Sequence, residues 1–224
     1  MFPNVDWPEI GHAGIETLQM LGGSLFFTVA LGLPLGLALY MTLPGSLYAS
    51  RRLYGALSFG VNVLRSLPFI ILLIVMIPLT LALTGTSIGV AGAIPPLVVG
   101  AAPFFGRLVE NVLREIDRDQ IEAAQTLGAT TAQIVWRIIL PESLPGLIGA
   151  STVTAVALVS YTAMSGVIGG GGLGDLAVRY GYQRFETDVM VVTVLMLLVL
   201  VYALQALGDK LVQVLSRRTS KISH

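Results

Sequence analysis

The 224-residue sequence has no cysteine, which excludes disulfide bonds, thiolate metal sites and cysteine nucleophiles. Charged residues make up only 12% of the chain, against roughly 25% in an average soluble domain. Thirteen basic and thirteen acidic residues give no net charge, so the composition indicates no nucleic-acid partner. With 54% hydrophobic residues and a mean hydropathy of +0.82, the chain is predicted to cross a membrane several times.

Motifs of several enzymes and carriers are also missing. Neither the zinc-protease motif H-E-x-x-H nor the nucleotide loop G-x-x-x-x-G-K-[ST] occurs, so the chain cannot hydrolyse ATP by the usual phosphate loop. Its two histidines, His12 and His224, lie at the chain ends, which argues against an intramembrane serine hydrolase. Most apolar stretches lack an ionisable residue at the centre, which argues against a proton-coupled carrier. We therefore predict no catalytic residue, no metal site and no cofactor in this chain.

Long uncharged stretches predict an all-α protein with five membrane-spanning helices, because each span needs about 20 mostly apolar residues. The longest stretch, residues 66–106, contains a small and polar run at 85–92 that divides it into two spans. The predicted spans cover residues 18–43, 55–83, 93–113, 144–164 and 189–211. They divide the chain into an N-terminal segment 1–17 outside the cytoplasm, a membrane domain 18–211 with a cytoplasmic segment 114–143, and a cytoplasmic tail 212–224.

The positions of the basic residues predict the orientation of the spans. If the N-terminus lies outside the cytoplasm, only Arg179 and Arg184 fall on the outer side. Eleven others then lie on or near the cytoplasmic side, as the positive-inside rule requires: Arg51, Arg52, Arg65, Arg107, Arg114, Arg118, Arg137, Lys210, Arg217, Arg218 and Lys221. On this assignment Arg65, Arg107 and Glu110 lie at cytoplasmic helix ends, where long side chains reach water.

The segment between spans three and four has strong local signals. Six charges occur in residues 114–122, and good helix formers continue to Gly128, which is suited to ending a helix. Thr130 and Gln133 form a capping-box pattern that predicts a second helix over 131–139, and Pro141 is predicted to stop it. Two short helices joined by a glycine turn fit either a docking surface or an ordinary loop packed against its own bundle.

This segment also carries a resemblance. Its residues fit the pattern E-A-A-x3-G-x9-I-x-L-P with Glu122, Ala123, Ala124, Gly128, Ile138, Leu140 and Pro141. The pattern is similar to the signature of ABC importer permeases, and stretches such as 65–73, 76–78, 85–89 and 100–104 resemble methionine-type permeases in particular. The resemblance implies a type I ABC importer permease fold, with the seven residues serving as the coupling motif that contacts an ATPase.

The resemblance further implies how such a chain works. A homodimer in the bacterial cytoplasmic membrane would bind two ABC ATPase subunits, which hold ATP and Mg, and an external methionine-binding lipoprotein. The chain would then form the path for D- and L-methionine and perform no catalysis itself. In the outer segment 165–188, Asp175, Arg179 and Arg184 are candidate contacts for the binding protein, although a solvated connector with a flexible glycine run fits the sequence as well.

Alternatives remain open from the sequence. The coupling motif also fits a permease for another polar amino acid or small solute. An ATP-independent channel or a sodium-coupled carrier would leave the motif without a partner. No substrate contact is assigned, because Met76, Tyr161 and Met164 lie in spans where such side chains usually serve packing.

Overall fold

A computed structural model describes residues 5–220, and the side chains of residues 5–216. Within that range the chain is helical and contains no β-strand. Residues 1–4 and 221–224, and the side chains of Arg217 and Arg218, lie outside the described part. The α-helices are α1 Trp7–Thr42, α2 Arg51–Ser66, α3 Phe69–Thr84, α4 Gly89–Arg114, α5 Arg118–Thr126, α6 Thr131–Ile134, α7 Leu140–Ser165, α8 Gly172–Leu176 and α9 Thr187–Ser220.

Helix α1 begins eleven residues before the predicted span 18–43. Asp6 caps it by accepting a hydrogen bond from the Glu9 N–H (3.3 Å), and Pro8 occupies the first turn, where a missing N–H costs nothing. Likewise, α9 continues past the predicted end at residue 211. The extra turns are polar enough to lie outside the hydrocarbon, so apolar runs locate the membrane part of a helix and underestimate its length.

Helices α1 and α4 pack closely along Gly32 and Gly36. A Cβ added at Gly32 would lie 2.8 Å from Phe105 Cδ1, and one at Gly36 would lie 2.5 Å from Val109 Cβ. Both distances are too short for real carbon atoms, so the absence of a side chain sets the helix separation. The spacing Gly32-x-x-x-Gly36 therefore serves packing here.

The predicted second span, residues 55–83, is not one helix. Helices α2 and α3 meet at a bend of 106°. Leu67 adopts an extended conformation (φ −76°, ψ 129°) because the residue before a proline is disfavoured in the helical region, and Pro68 then precedes the first residue of α3. Four other described helices are long and apolar enough to cross a membrane, and the total is five if the bent pair forms one crossing.

The predicted stop at Pro141 was wrong. Residues Thr131–Ile168 form one continuous helical stretch of 38 residues. A π-helical turn at Val135–Ile139 makes this possible, because the Leu140 N–H bonds to the Val135 carbonyl, five residues back. The wider turn leaves room for the proline ring, which would clash with the preceding carbonyls in a regular α-helix.

Three hydrophobic clusters hold the described part of the bundle together; one joins α1, α8 and α9, and the other two involve α4. Of these two, the first lies around Met20, Leu73, Leu97 and Leu158 and joins α1, α3, α4 and α7. The second extends from Phe105 and Val109 of α4 to Ile121, Ile134 and Ile139 in the segment between α4 and α7. That segment is therefore packed onto the bundle through its own core residues.

Candidate functional site

Helix α5 contacts the bundle through the buried Ile121 and the half-buried Ala124, and its other residues are exposed. The Asp117 carboxylate caps it by accepting a hydrogen bond from the Asp119 N–H (3.0 Å), and Ile121 is its buried residue. The Gln120 amide donates to a Glu142 carboxylate oxygen (3.0 Å), which ties α5 to the start of α7. Glu122 and Ala123 are exposed.

The turn after α5 has the predicted geometry. Gly128 has φ +80°, a left-handed conformation that glycine adopts without strain, and its N–H donates to the Gln125 carbonyl (3.0 Å). The predicted capping box is also present: the Gln133 N–H donates to Thr130 Oγ1 (3.3 Å) and the Thr130 N–H to Gln133 Oε1 (2.8 Å). Both predictions are confirmed, so the path of the chain between the two helices is fixed by local bonds.

The seven motif residues do not form one cluster. Glu122, Ala123, Gly128 and Pro141 are exposed, whereas Ala124, Ile138 and Leu140 are half-buried, and Ala124 and Leu140 pack against the second hydrophobic cluster. The sequence reasoning did not single out two further residues, Leu127 (87% exposed) and Trp136 (71% exposed). Large apolar side chains in a segment predicted to lie in water were the signal that could have identified them.

We define the coupling surface as the exposed face made of Glu122, Ala123, Leu127, Gly128 and Trp136. Exposed apolar side chains next to charged ones are typical of a surface that a protein partner covers. Helix α5 contacts α4 through Ile121 and α7 through the hydrogen bond of Gln120, so this surface is attached to both helices. The arrangement suits docking and transmission of movement rather than chemistry.

A buried ionic network lies close to this surface. Glu110 is fully buried and bridges Arg107 and Arg114, with both nitrogen–oxygen distances at 2.5 Å. Its assignment to a helix end in contact with water was wrong, because α2 covers this part of α4. The α2 side chains in the network are Tyr54, which donates to Glu110 (3.1 Å), and Ser58 and Asn62, which accept from Arg107 (2.7 and 3.1 Å).

Arg65 also lies elsewhere than predicted. Arg65 lies in the last turn of α2, and its guanidinium lies 5.8 Å from the centre of the Phe104 ring, near the middle of α4. Phe104 is ten residues from Arg114, or about 15 Å along the helix. The predicted position of Arg65 at the cytoplasmic end of a span was wrong, because the bend at Leu67–Pro68 was not foreseen. Helix α2 runs beside the half of α4 that ends at Arg114.

The candidate docking residues on the other side of the protein lie together. Arg179 forms ion pairs with Asp175 (3.0 Å) and with Glu9 of α1 (3.3 Å). The guanidinium groups of Arg179 and Arg184 stand 4.8 and 4.6 Å from the centre of the Tyr180 ring. Glu9 was not predicted to belong to this cluster, because the sequence gives no sign that the N-terminal segment meets the segment 165–188, in which Tyr180 lies.

The glycine run before this cluster is folded against α1, so the description of the segment as a solvated, flexible connector was wrong. The Gly172 N–H donates to the Glu16 carboxylate (2.8 Å), and the Leu173 N–H donates to Thr17 Oγ1 (2.9 Å). Gly172 and Leu173 are buried. Within residues 5–216, no group of three acidic or histidine side chains is placed to hold a metal ion.

Comparisons with known proteins agree with this geometry. Residues 32–221 match the family described as "Binding-protein-dependent transport system inner membrane component". A probable D-methionine transport system permease protein of Vibrio cholerae is 46% identical over 203 residues, which is 91% of this chain and 90% of the relative. The methionine import system permease protein of Bacillus subtilis is 44% identical over 217 residues, covering 97% of this chain and 98% of that protein.

Solved structures show the same fold. A chain of an inward-facing methionine ABC transporter superposes with a TM-score of 0.92 at 47% identity, covering 94% of this chain and 99% of that chain. An amino acid ABC transporter solved with histidines superposes with a TM-score of 0.70 at 19% identity, which is a likeness of fold alone. The bent pair α2–α3 and the segment between α4 and α7 thus belong to an architecture already seen in transporters.

Proposed function

Because the chain belongs to the family of binding-protein-dependent transport system inner membrane components, we propose that it is the permease subunit of an ATP-driven methionine importer. Relatives named for methionine transport match it over nearly their whole length, and the matched solved structure is a methionine ABC transporter. The proposed mechanism rests on the coupling surface, where Leu127 and Trp136 are exposed beside the residues of the coupling motif. The chain is not an enzyme. The alternative proposal, a permease for another polar amino acid or small solute, differs only in the solute that is carried.

The partners are proposed from the similarity to a methionine ABC transporter. Uphill transport needs an energy source, and the sequence has no phosphate loop of its own. As in that kind of transporter, two copies of this chain would bind two ATPase subunits, which hold ATP and Mg, and the permease itself would bind no cofactor. An external methionine-binding lipoprotein would deliver the solute, and lipid would cover the apolar outer faces.

The coupling surface would transmit the movement of the ATPase. Leu127 and Trp136 supply apolar contacts, and Glu122 adds a charge that a basic partner residue can meet. ATP-driven closure of the ATPase pair would shift this surface as a unit and favour one of two packings of the bundle. Alternating access then results from differential stabilisation of an inward-open and an outward-open state.

Substitutions of Gly128 test the proposed coupling to the ATPase. Proline fixes φ near −65° and has no N–H, so Gly128→Pro would break the turn and its hydrogen bond to Gln125. Gly128→Ala meets no atom within 4 Å and costs about 1–2 kcal/mol for the left-handed conformation. We expect Gly128→Pro and Glu122→Arg to lose ATP-coupled uptake and Gly128→Ala to retain it. Normal uptake by Gly128→Pro would contradict the proposed role.

The cluster of Glu9, Asp175, Arg179 and Arg184 would contact the binding lipoprotein. Its four charges lie on one face at the end of the bundle opposite the coupling surface, and Tyr180 lies between the two arginines. Changing Arg184 to Gln should weaken stimulation of the ATPase by the binding protein. Arg179→Gln should do so more strongly, because it also breaks the ion pair that joins this segment to Glu9 of α1. Unchanged stimulation in both variants would reject this contact.

We further propose that the N-terminus lies outside and the C-terminus in the cytoplasm. Five crossings, with α2 and α3 as one, satisfy the positive-inside rule. The chain lacks cysteine, so single cysteines report cleanly on sidedness. A membrane-impermeant thiol reagent should label Gln183→Cys in intact cells and label Ala49→Cys only after lysis. The reverse labelling pattern would indicate the opposite topology.

Reconstitution tests the function as a whole. Proteoliposomes containing this chain, the ATPase and the binding protein should concentrate labelled methionine only with ATP. Vesicles with this chain alone should not do so. Accumulation by the chain alone would indicate a carrier of a different class, and failure of the full complex with methionine but success with another amino acid would change the solute.

A further inference from the structure

We propose that Arg65 receives the carboxylate of the amino acid in transit, in a small cavity at the break between α2 and α3. This inference rests on the proposed function and adds a substrate contact to it. Its basis is the position of Arg65, the composition of the cavity and the lack of any acidic partner for this arginine.

The cavity lies at mid-depth in the bundle. Arg65 stands over Phe104 and the cavity reaches Gly100, which is the twelfth residue of the 26-residue helix α4. Broken helices with polar groups at the middle of the membrane are where many transporters bind their substrates. The 106° bend between α2 and α3 places the end of one helix and the start of the next at this depth.

The charge of Arg65 is not neutralised within the protein. Arg107 and Arg114 share the carboxylate of Glu110, whereas Arg65 forms no ion pair with any side chain in residues 5–216. Its recorded contact is the face of the Phe104 ring, 5.8 Å away. A guanidinium at this depth is costly, and such groups in membrane proteins mark substrate or ion paths. The planar guanidinium can donate two parallel hydrogen bonds to one carboxylate group.

The rest of the cavity fits an amino acid with an apolar side chain. Phe69 and Tyr161 stack with ring centres 4.3 Å apart, and these rings form one wall. The Tyr161 hydroxyl forms no hydrogen bond to the described side chains or backbone of residues 5–216, so it is available to a ligand. Aromatic faces also attract thioether sulfur.

The size of the cavity limits what it holds. Its volume of about 130 Å³ is below the roughly 300–1,000 Å³ of pockets that enclose a whole drug-sized ligand. It therefore suits the charged end of one amino acid during passage. Two larger cavities of about 550 and 530 Å³ have almost wholly apolar walls, at α1–α9 and at α1–α3–α4, and suit lipid chains.

Substitution of Arg65 in the full complex tests the contact. Arg65→Gln keeps a polar side chain without charge, Arg65→Lys keeps the charge without the fork, and Arg52→Gln is the matched control at the other end of α2. We expect Arg65→Gln to lower methionine uptake per ATP hydrolysed by about tenfold, as for loss of a charge-assisted hydrogen bond. ATPase stimulation by the binding protein should persist, Arg65→Lys should be intermediate and Arg52→Gln should be normal.

A diazirine analogue of methionine gives an independent measurement. In the wild-type complex, illumination during turnover should label peptides containing Phe69 or Tyr161, and Arg65→Gln should reduce that labelling several-fold. Uptake and labelling unchanged by Arg65→Gln would overturn the inference while leaving the proposed function intact. Joint loss of uptake and ATPase stimulation in both Arg65 variants would also overturn it, because the arginine would then be structural. A wild-type complex that transports no methionine would contradict both the proposed function and the inference.

Discussion

Neutralising Glu110 should destabilise the protein more than neutralising any exposed acid. Glu110 is fully buried and shared by two arginines, and Arg107 is only 15% exposed. Removing one partner of a buried ion pair costs about 3–5 kcal/mol, because the remaining charge stays buried. Arg114 is 46% exposed and recovers part of its hydration, so we expect the lower end, about 3 kcal/mol, for Glu110→Gln.

This cost corresponds to a fall in the unfolding midpoint of roughly 6–12 °C for a chain of this size. The midpoint is measured by heating the purified permease in detergent and following the folded fraction by size-exclusion chromatography. Glu115→Gln is the matched control, because Glu115 is exposed and forms no ion pair within residues 5–216. The double variant Arg107→Gln/Glu110→Gln should regain part of the loss. Midpoints of Glu110→Gln and Glu115→Gln within about 2 °C would refute the reasoning.

Four other substitutions, in two matched pairs, test packing and hydrogen bonding by the same midpoint assay. Gly36→Ala should destabilise by about 1–3 kcal/mol through overpacking against α4, whereas Gly22→Ala meets no atom within 4 Å and should be neutral or slightly stabilising. Equal midpoints for these two would contradict the close approach of α1 and α4. Thr17→Val leaves the buried Leu173 N–H without an acceptor and should cost about 1–3 kcal/mol. Thr28→Val removes a buried hydroxyl that has no hydrogen-bond partner and should cost nothing, so a larger loss at Thr28 than at Thr17 would refute this assignment.

Local signals in the sequence were sufficient where a feature depends on neighbouring residues alone. The capping box at Thr130 and the left-handed Gly128 need only residues within one turn, and both were predicted correctly. The apolar stretches likewise located the long helices, because their composition is what the membrane requires. The coupling motif was found by its spacing, while its contact with an ATPase stays a prediction.

Features that depend on distant residues could not be predicted. Glu110 is buried only because α2 supplies Tyr54, Ser58 and Asn62 from more than 40 positions away. Pro141 stays within a helix because a π-helical turn precedes it, and no known pattern in residues 135–139 announces such a turn. The glycine run 169–172 resembles a loop in composition, and the hydrogen bonds that hold its end against α1 come from the distant side chains Glu16 and Thr17.

The unbroken helical stretch Thr131–Ile168 has a mechanical consequence. At 1.5 Å per residue it is a rod of about 57 Å, with the coupling surface at one end and the glycine run at the other. A tilt of about 10° imposed at the first end would swing the far end by roughly 10 Å, with no intervening loop to absorb the displacement. In the proposed importer, a lever of this length would turn a small rotation at the coupling surface into a displacement comparable to the width of a helix at the opposite end of the bundle.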